Sequence, residues 1–157
     1  MNGSSRVWGL HCDVDVDLVE GGFAAMGWDG LGNLNELEPD REAFKNAMSA
    51  AYPDAKARTI SQWAGQVYRF VHGAQDGDVV VYREFGGGPI NLGMIQGPYE
   101  RHEGELYGQR RPVNWTEVGL VPGDFPPGAI YELGASLTWF RIKKHRHIWV
   151  SALEGEP

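Results

Sequence analysis

Hydrophobic and polar positions follow two periods along this chain, and the switch between them divides it. Residues 6–12 (RVWGLHC) and 22–28 (GFAAMGW) are short apolar and aromatic runs bounded by polar or Gly-rich stretches, as strands are, and they read as two strands joined by an acidic loop. Residues 40–52 place Ala43, Phe44, Ala47, Met48 and Ala51 at helical spacing, with Pro53 as the stop. Residues 59–73 set Trp63, Val67, Phe70 and Val71 on one face, which predicts a second amphipathic helix capped near Ser61. After Asp76-Gly77 the pattern becomes extended. Strands are predicted over 79–82 and 90–95, with Gly86-Gly87-Gly88-Pro89 as the turn between them. Two more follow over 111–118 and 137–142, separated by a Gly/Pro-rich loop over 121–128, and a short helix over 147–153 closes the chain. There is no internal repeat and no long linker. The pattern predicts one α+β domain over 6–153, built on a strongly bent, mostly antiparallel sheet or barrel flanked by helices, with flexible termini at 1–5 and 154–157.

Composition agrees with a globular domain: 157 residues, 42% hydrophobic and 22% charged, enough to bury a core without disulfides or a structural metal. The single cysteine, Cys12, excludes an internal disulfide framework and a Cys-rich zinc site, and reads as a reduced thiol near a strand end. No apolar run reaches about 18 residues and the first residues lack a signal-peptide core, so a cytoplasmic protein with no membrane partner is expected.

Charge changes the picture more. The net charge of -7 argues against a nucleic-acid partner, but residues 1–40 hold eight acids and one base while the remainder balances 13 against 13. Within that remainder, residues 141–147 (RIKKHRH) gather four permanent cations and two histidines. A local basic patch on an acidic protein is therefore available.

Most catalytic patterns fail. Asp13, Asp15 and Asp17 alternate on one side of an extended segment, but the glycine and distal Glu of a calcium loop are missing, so a solvated acidic loop is the better reading. Pro39-Asp40 followed by Asp54-Ala55-Lys56 matches a nuclease pattern literally, yet Asp40 opens a helix and Asp54 follows its end, where the acids cannot converge on neighbouring strands. The five histidines show no zinc spacing, and there is neither a nucleophile elbow nor a phosphate-binding Gly-rich loop. Cys12 beside His11 suggests a thiol nucleophile, but neighbours on a strand point to opposite faces. Trp8, Trp139 and Phe140 read as core. Trp28 and Trp63 sit at element boundaries beside polar or glycine residues, where aromatics can line a pocket.

From Gln62 onward the ordered set WAGQVYRF, GDVVVY, INLGMIQGPY, RRPVNW and LGA, preceded by GWDGLGNL at 27–34, resembles the N-terminal domain of Mrr-like, modification-dependent (type IV) restriction endonucleases over residues 6 to about 153. Those domains are similar to the PUA-like superfamily, akin to EVE and YTH domains, which hold a modified base between aromatic walls. The resemblance implies a PUA-like, EVE-like curved sheet or barrel flanked by helices. It implies a non-catalytic reader of modified bases, 5-methylcytosine in duplex DNA foremost, that works by base flipping and needs no cofactor or metal. RNA or modified RNA as the ligand, and service as the specificity module of a nuclease acting as a partner, are the alternatives left open.

By position in that resemblance, Trp63 is the leading wall of the base pocket, with Trp28 and Tyr82 as companions. Asp29 and Gln62 are placed to read the base edge, and Tyr107, in the loop between Glu100 and Gln109, to close the pocket. Arg83, Arg101, Arg110, Arg111, Lys143 and Lys144 are the candidate contacts to the DNA backbone.

Overall fold

In the computed structural model, residues 5–155 are described. Seven strands form one curled, mixed sheet: β1 (Val7–Leu10), β2 (Phe23–Met26), β3 (Val79–Arg83), β4 (Ile90–Ile95), β5 (Glu100–Arg101), β6 (Gln109–Leu120) and β7 (Trp139–Ile142). Their order is β2-β6-β4-β3-β1-β7, with β5 paired to β6 off that path. β1 and β3 run parallel, and the other pairings described are antiparallel. The two predicted N-terminal strands are therefore not neighbours: β1 lies between β3 and β7, while β2 joins the far end of the sheet.

β6 produces the curl. Its first four residues pair with β2 and the rest with β4, so one long strand belongs to both halves. The β4–β6 register shifts twice around Leu92, which bends the pair into a half-barrel. Gly93 is needed there, because a Cβ would lie 2.6 Å from the Asn114 carbonyl oxygen. Gly9 meets the same demand in β1, where the Phe140 ring of β7 covers its Cα.

Alternation along the central strands sorts side chains onto two faces. Trp8, Leu10, Val80 and Tyr82 face a core completed by α2 (Arg41–Ala51) and α3 (Ala57–Tyr68). In that core Trp139 stacks on Trp8 at 5.4 Å between centroids and meets the edge of Phe70 at 5.0 Å. Val7, Val79, Val81 and Ile142 face the opposite core with α4 (Pro127–Glu132) and α5 (Arg146–Glu154), around buried Trp149.

Local chemistry explains the element ends. Asp40 caps α2 by accepting from the Ala43 N–H at 2.7 Å, and Phe44 and Met48 bury one turn apart. α3 begins at Ala57 rather than at a Ser61 cap. No side chain caps it, and burial of Ile60, Ala64 and Val67 extends it past the sequence signal. It continues through a π-type turn, Arg69–Gly73. The predicted 121–128 loop is in part helical, because Pro127 opens α4, a position where proline loses no hydrogen bond. A single-turn α1 (Leu18–Gly21), capped by Asp17, interrupts the acidic loop. Of the expected flexible termini, residues 1–4 and 156–157 lie outside the described residues. Ser5 is instead buried, with its carbonyl accepting from the Arg146 guanidinium, and Glu154 belongs to α5.

Candidate functional site

Because β1 and β3 are parallel neighbours, the chain leaves both at the same edge of the sheet. His11, Cys12 and Asp13 follow β1, and the Glu84–Gly87 hairpin follows β3. The segment 133–138, entering β7, lies opposite. With Tyr107 these segments enclose a cleft of about 420 Å³, inside the about 300–1,000 Å³ range of small-ligand sites. Phe85, 78% exposed, and half-buried Tyr107 supply aromatic surface. Cys12, Leu133 and Leu137 supply apolar surface, and Asp13, Glu84, Ser136 and Thr138 supply polar groups.

Hydrogen bonds define what these groups can still do. The His11 Nε2 lies 2.6 Å from the Leu133 carbonyl, which can only accept, so Nε2 is the donor in that contact. Glu84 accepts from the Asn91 amide at 3.0 Å, whereas Asp13 is exposed. Arg83 donates to the Gly87 carbonyl, and its buried Nε has no hydrogen-bond partner among the described residues. Burial pushes the Cys12 thiol up, the contact with the Val14 carbonyl opposes this, and the Asp13 charge adds to it. The thiol thus stays protonated at neutral pH. The expectation that His11 and Cys12 face apart fails, because β1 ends at Leu10 and both then line the cleft. Burial, and then the charges of Asp13, Cys12 and Asp29, also raise the Tyr107 phenol.

A second hollow, of about 640 Å³, adjoins the first and shares Cys12, Asp13, Glu84 and Phe85 with it. Asp15 and Asp17 line this side, which makes it acidic. Among the described residues, no group of three or more His, Cys, Asp or Glu side chains converges as a metal-ligand set.

The structure disperses the predicted base pocket. Trp28 and Trp63 do meet, with ring centroids 6.0 Å apart. That spacing is a direct aromatic pair within the about 4.5–7 Å range, so the two rings fill the space between them and cannot act as opposed walls. Trp63 also meets Tyr52 edge-on at 5.8 Å. Tyr82 is only 8% exposed, lies against Trp115 and lines the second, acidic hollow rather than the 420 Å³ cleft or a pocket with Trp28 and Trp63. Gln62 is exposed on the first turns of α3, and neither it nor Trp28 nor Trp63 lines the 420 Å³ cleft. Tyr107 does line it. Asp29 lies outside the cleft lining, and its Oδ1 is engaged, accepting from Arg101 and from the Gly108 N–H, each at 2.8 Å.

The predicted backbone contacts divide in the same way. Arg111 is 4% exposed and donates to the carbonyls of Gly97, Phe70 and Ala74 and to Asp76, so it braces the fold rather than meeting a phosphate. Arg101 holds Asp29 and Glu103, and its guanidinium stays charged well above the ordinary range through its hydrogen bonds to those carboxylates. Arg110 donates to the Tyr107 and Leu106 carbonyls and stacks 4.1 Å from the centre of the Phe23 ring, which shapes the 102–108 loop. Arg83 lines the cleft, and Lys143 and Lys144 are exposed.

Sequence reasoning missed Asp13, Glu84 and Phe85 as cleft residues. The available signal was Phe85 standing next to three glycines in a hairpin, where a large apolar side chain has no core to enter. It also missed Gln109, which is buried, accepts from the Tyr99 hydroxyl, and donates to the carbonyls of Trp28 and Gly32. That network fixes the 28–34 loop. Among the described residues, Trp28 and Tyr107 are the non-glycine residues with positive φ, at 56° and 53°, and the Tyr107 ring packs against Gly27. The strained Tyr107 thus lines the cleft while its ring packs on Gly27, the residue before the strained Trp28.

The fold is thus an α+β domain, a mixed, curled half-barrel flanked by helices with an aromatic, acid-lined cleft at one sheet edge. Residues 11–122 match the model of a domain of unknown function, DUF8426, and the chain belongs to that family. The matched segment supplies the β1 and β3 sides of the cleft, whereas residues 133–138 lie beyond it. No curated protein matches this sequence. Among solved structures, the crystal structure of protein Atu2648 from Agrobacterium tumefaciens is similar at a TM-score of 0.44 and 11% identity, over 97% of this chain and 94% of that one. No helix among the described residues is long and apolar enough to cross a membrane.

Proposed function

We propose that this chain is a PUA-like, EVE-type reader of modified bases that binds 5-methylcytosine flipped out of duplex DNA, and that it is a binding module rather than an enzyme. The observation that carries this reading is the cleft itself. It is a base-sized hollow with aromatic surface on Phe85 and Tyr107 and an exposed carboxylate, Asp13, at its mouth. Flipping a base costs a few kcal/mol, and stacking returns about 1–3 kcal/mol per base. A carboxylate accepts from the exocyclic amine of cytosine, and Asp13 is the group available for it. The 5-methyl group then meets Leu133, Leu137 and the Cys12 thiol, a contact worth about 0.8 kcal/mol or somewhat more when fully buried.

The test is fluorescence anisotropy at one moderate salt concentration, with matched duplexes that are unmodified, hemimethylated or fully methylated at cytosine, or N6-methylated at adenine, and with the same sequence as RNA. A preference of tenfold or more for a methylcytosine duplex, about 1.4 kcal/mol, is expected. Equal binding to all the duplexes overturns the reading, and preference for the RNA moves the ligand class to RNA.

A further inference from the structure

A third concavity, of about 520 Å³, runs along the sheet edge on the side away from the acidic loop. Its rim holds Arg6 before β1, Arg69 at the start of the π-type turn, Arg141 in β7 and Lys143 just after β7, and its floor is Trp8, Phe140 and Leu137. Leu137 also lines the 420 Å³ cleft, so the two hollows meet at that residue.

Cations gather along this groove, and Arg41 stands beside it, next to Arg69. Among the described residues, Arg41, Arg69, Arg141 and Lys143 form no ion pair. Two guanidiniums, of Arg41 and Arg69, converge on Gly65 in α3: a Cβ there would stand 2.9 Å from one and 3.3 Å from the other. Burial, and then Arg41, pulls the Arg69 guanidinium below its ordinary value. Burial, and then Arg6, does the same to Arg141, which lies 5.7 Å from the centre of the Trp8 ring.

Two carboxylates stand nearby, and both hold backbone. Glu132 accepts from the N–H groups of Lys143, Lys144 and His145 and from the His145 ring. Asp78 is buried and accepts from the Arg6 N–H, the Trp8 indole and the Gln75 N–H. A groove in which like charges converge, with its acids already engaged, matches a polyanion whose charges are spaced along a line. Arginine forks suit phosphate oxygens.

The geometry points to this groove as the phosphate track of the nucleic-acid site, with Arg6, Arg69, Arg141 and Lys143 contacting successive backbone phosphates of a strand whose base enters the adjoining cleft. The inference rests on the reader assignment for the base, but the phosphate contacts themselves carry no base preference.

The test is binding of unmodified and methylcytosine duplexes over a salt series. Four contacts give a log–log slope of about -3.6, near 0.9 per phosphate. The Arg69→Gln/Arg141→Gln double variant is expected to bring the slope to about -1.8, weakening both duplexes alike and leaving their ratio unchanged. An Arg6→Gln/Lys143→Gln variant, at exposed positions, repeats the loss if the first variant unfolds. A Lys45→Gln/Arg58→Gln variant, which removes two cations outside the groove, is the control and keeps the wild-type slope. Slopes unchanged in both groove variants overturn the inference even when methylcytosine preference is present, as does wild-type protein that binds no duplex. A slope lost in the groove variants of a protein without methylcytosine preference keeps the groove and refutes the reader assignment.

Discussion

Asp29 separates a structural role from a recognition role, and the structure sets the size of the effect. Its carboxylate Oδ1 takes the Arg101 guanidinium and the Gly108 N–H together, pinning the 102–108 loop to the Asp29–Leu31 turn. Gly108 is buried, so Asp29→Ala leaves its N–H without a partner, a loss of about 1–3 kcal/mol. The ion pair adds less. The Asp29 side chain is 40% exposed and Arg101 keeps Glu103, so solvent screening limits that term to at most about 1 kcal/mol. Asp29→Ala should therefore destabilise by about 2–3 kcal/mol. Asp29→Asn keeps an acceptor for the Gly108 N–H and should lose about 1 kcal/mol or less. Urea unfolding at constant m-value measures both. Equal losses in the two variants would place the stabilisation in the charge and refute the hydrogen-bond account. Two variants of wild-type stability that lose methylcytosine preference would return Asp29 to the base edge.

Other consequences follow from the same contacts. Tyr107→Gly removes a left-handed aromatic whose backbone costs about 1–2 kcal/mol. Stability measured by urea should therefore change little, while methylcytosine preference falls about tenfold; retained preference would remove Tyr107 from recognition. Arg111→Ala strips a buried guanidinium from three carbonyls and should cost about 3 kcal/mol or more in thermal or urea unfolding; a stable variant with weakened DNA binding would make Arg111 a phosphate contact. Burial, and then Cys12, Glu84 and Asp17, push the Tyr82 phenol up to about 12 from its ordinary 10.0. The folded state holds this proton more tightly than the unfolded one, so the contribution is complete below pH 10.0 and is lost as pH rises toward about 12. Tyrosinate absorbance should show Tyr82→Phe removing a late-titrating phenol; the same late step in the variant would refute the assignment.

What the sequence made legible was local. α2 could be read because a cap, two apolar residues one turn apart and a proline stop agree within one segment: Asp40, Phe44, Met48 and Pro53. β3 could be read from its valines and the glycines beyond it. α4 was hidden because Pro126-Pro127-Gly128 resembles a loop, although proline at the first turn is compatible with a helix. β5 is two residues long and exists only through its pairing with β6. The misassigned site residues share one cause. Arg111 looked like a surface cation, but the alternation of Gln109, Arg111 and Val113 turns it inward, and its acceptors come from segments 14 to 41 residues away. Tyr82 shares the inward face of β3 with Val80, which a period of two already implied. Asp29 was assigned to a base because its partner Arg101 stands 72 positions along the chain.

The net charge of -7 is resolved by placement rather than by amount. Asp13, Asp15, Asp17 and Glu84 lie on one flank of the cleft, and Arg6, Arg69, Arg141 and Lys143 lie beyond Leu137 on the other. A polyanion approaching this edge is repelled on the first flank and drawn to the second. Fields of this kind act over about 8 Å at physiological ionic strength, so each flank governs its own approach. In the proposed reader the backbone would be steered along the groove while an uncharged base, whose amine is a donor, would meet the acidic side. The same acids that argue against nucleic acid in a whole-chain sum would then orient the strand. Asp13→Asn and Asp15→Asn together should accordingly raise affinity for unmodified duplex while lowering the methylcytosine ratio, because Asp13 is both a repelling charge and the amine acceptor. A rise in affinity with an unchanged ratio would leave the flank as a steering element and remove Asp13 from the base.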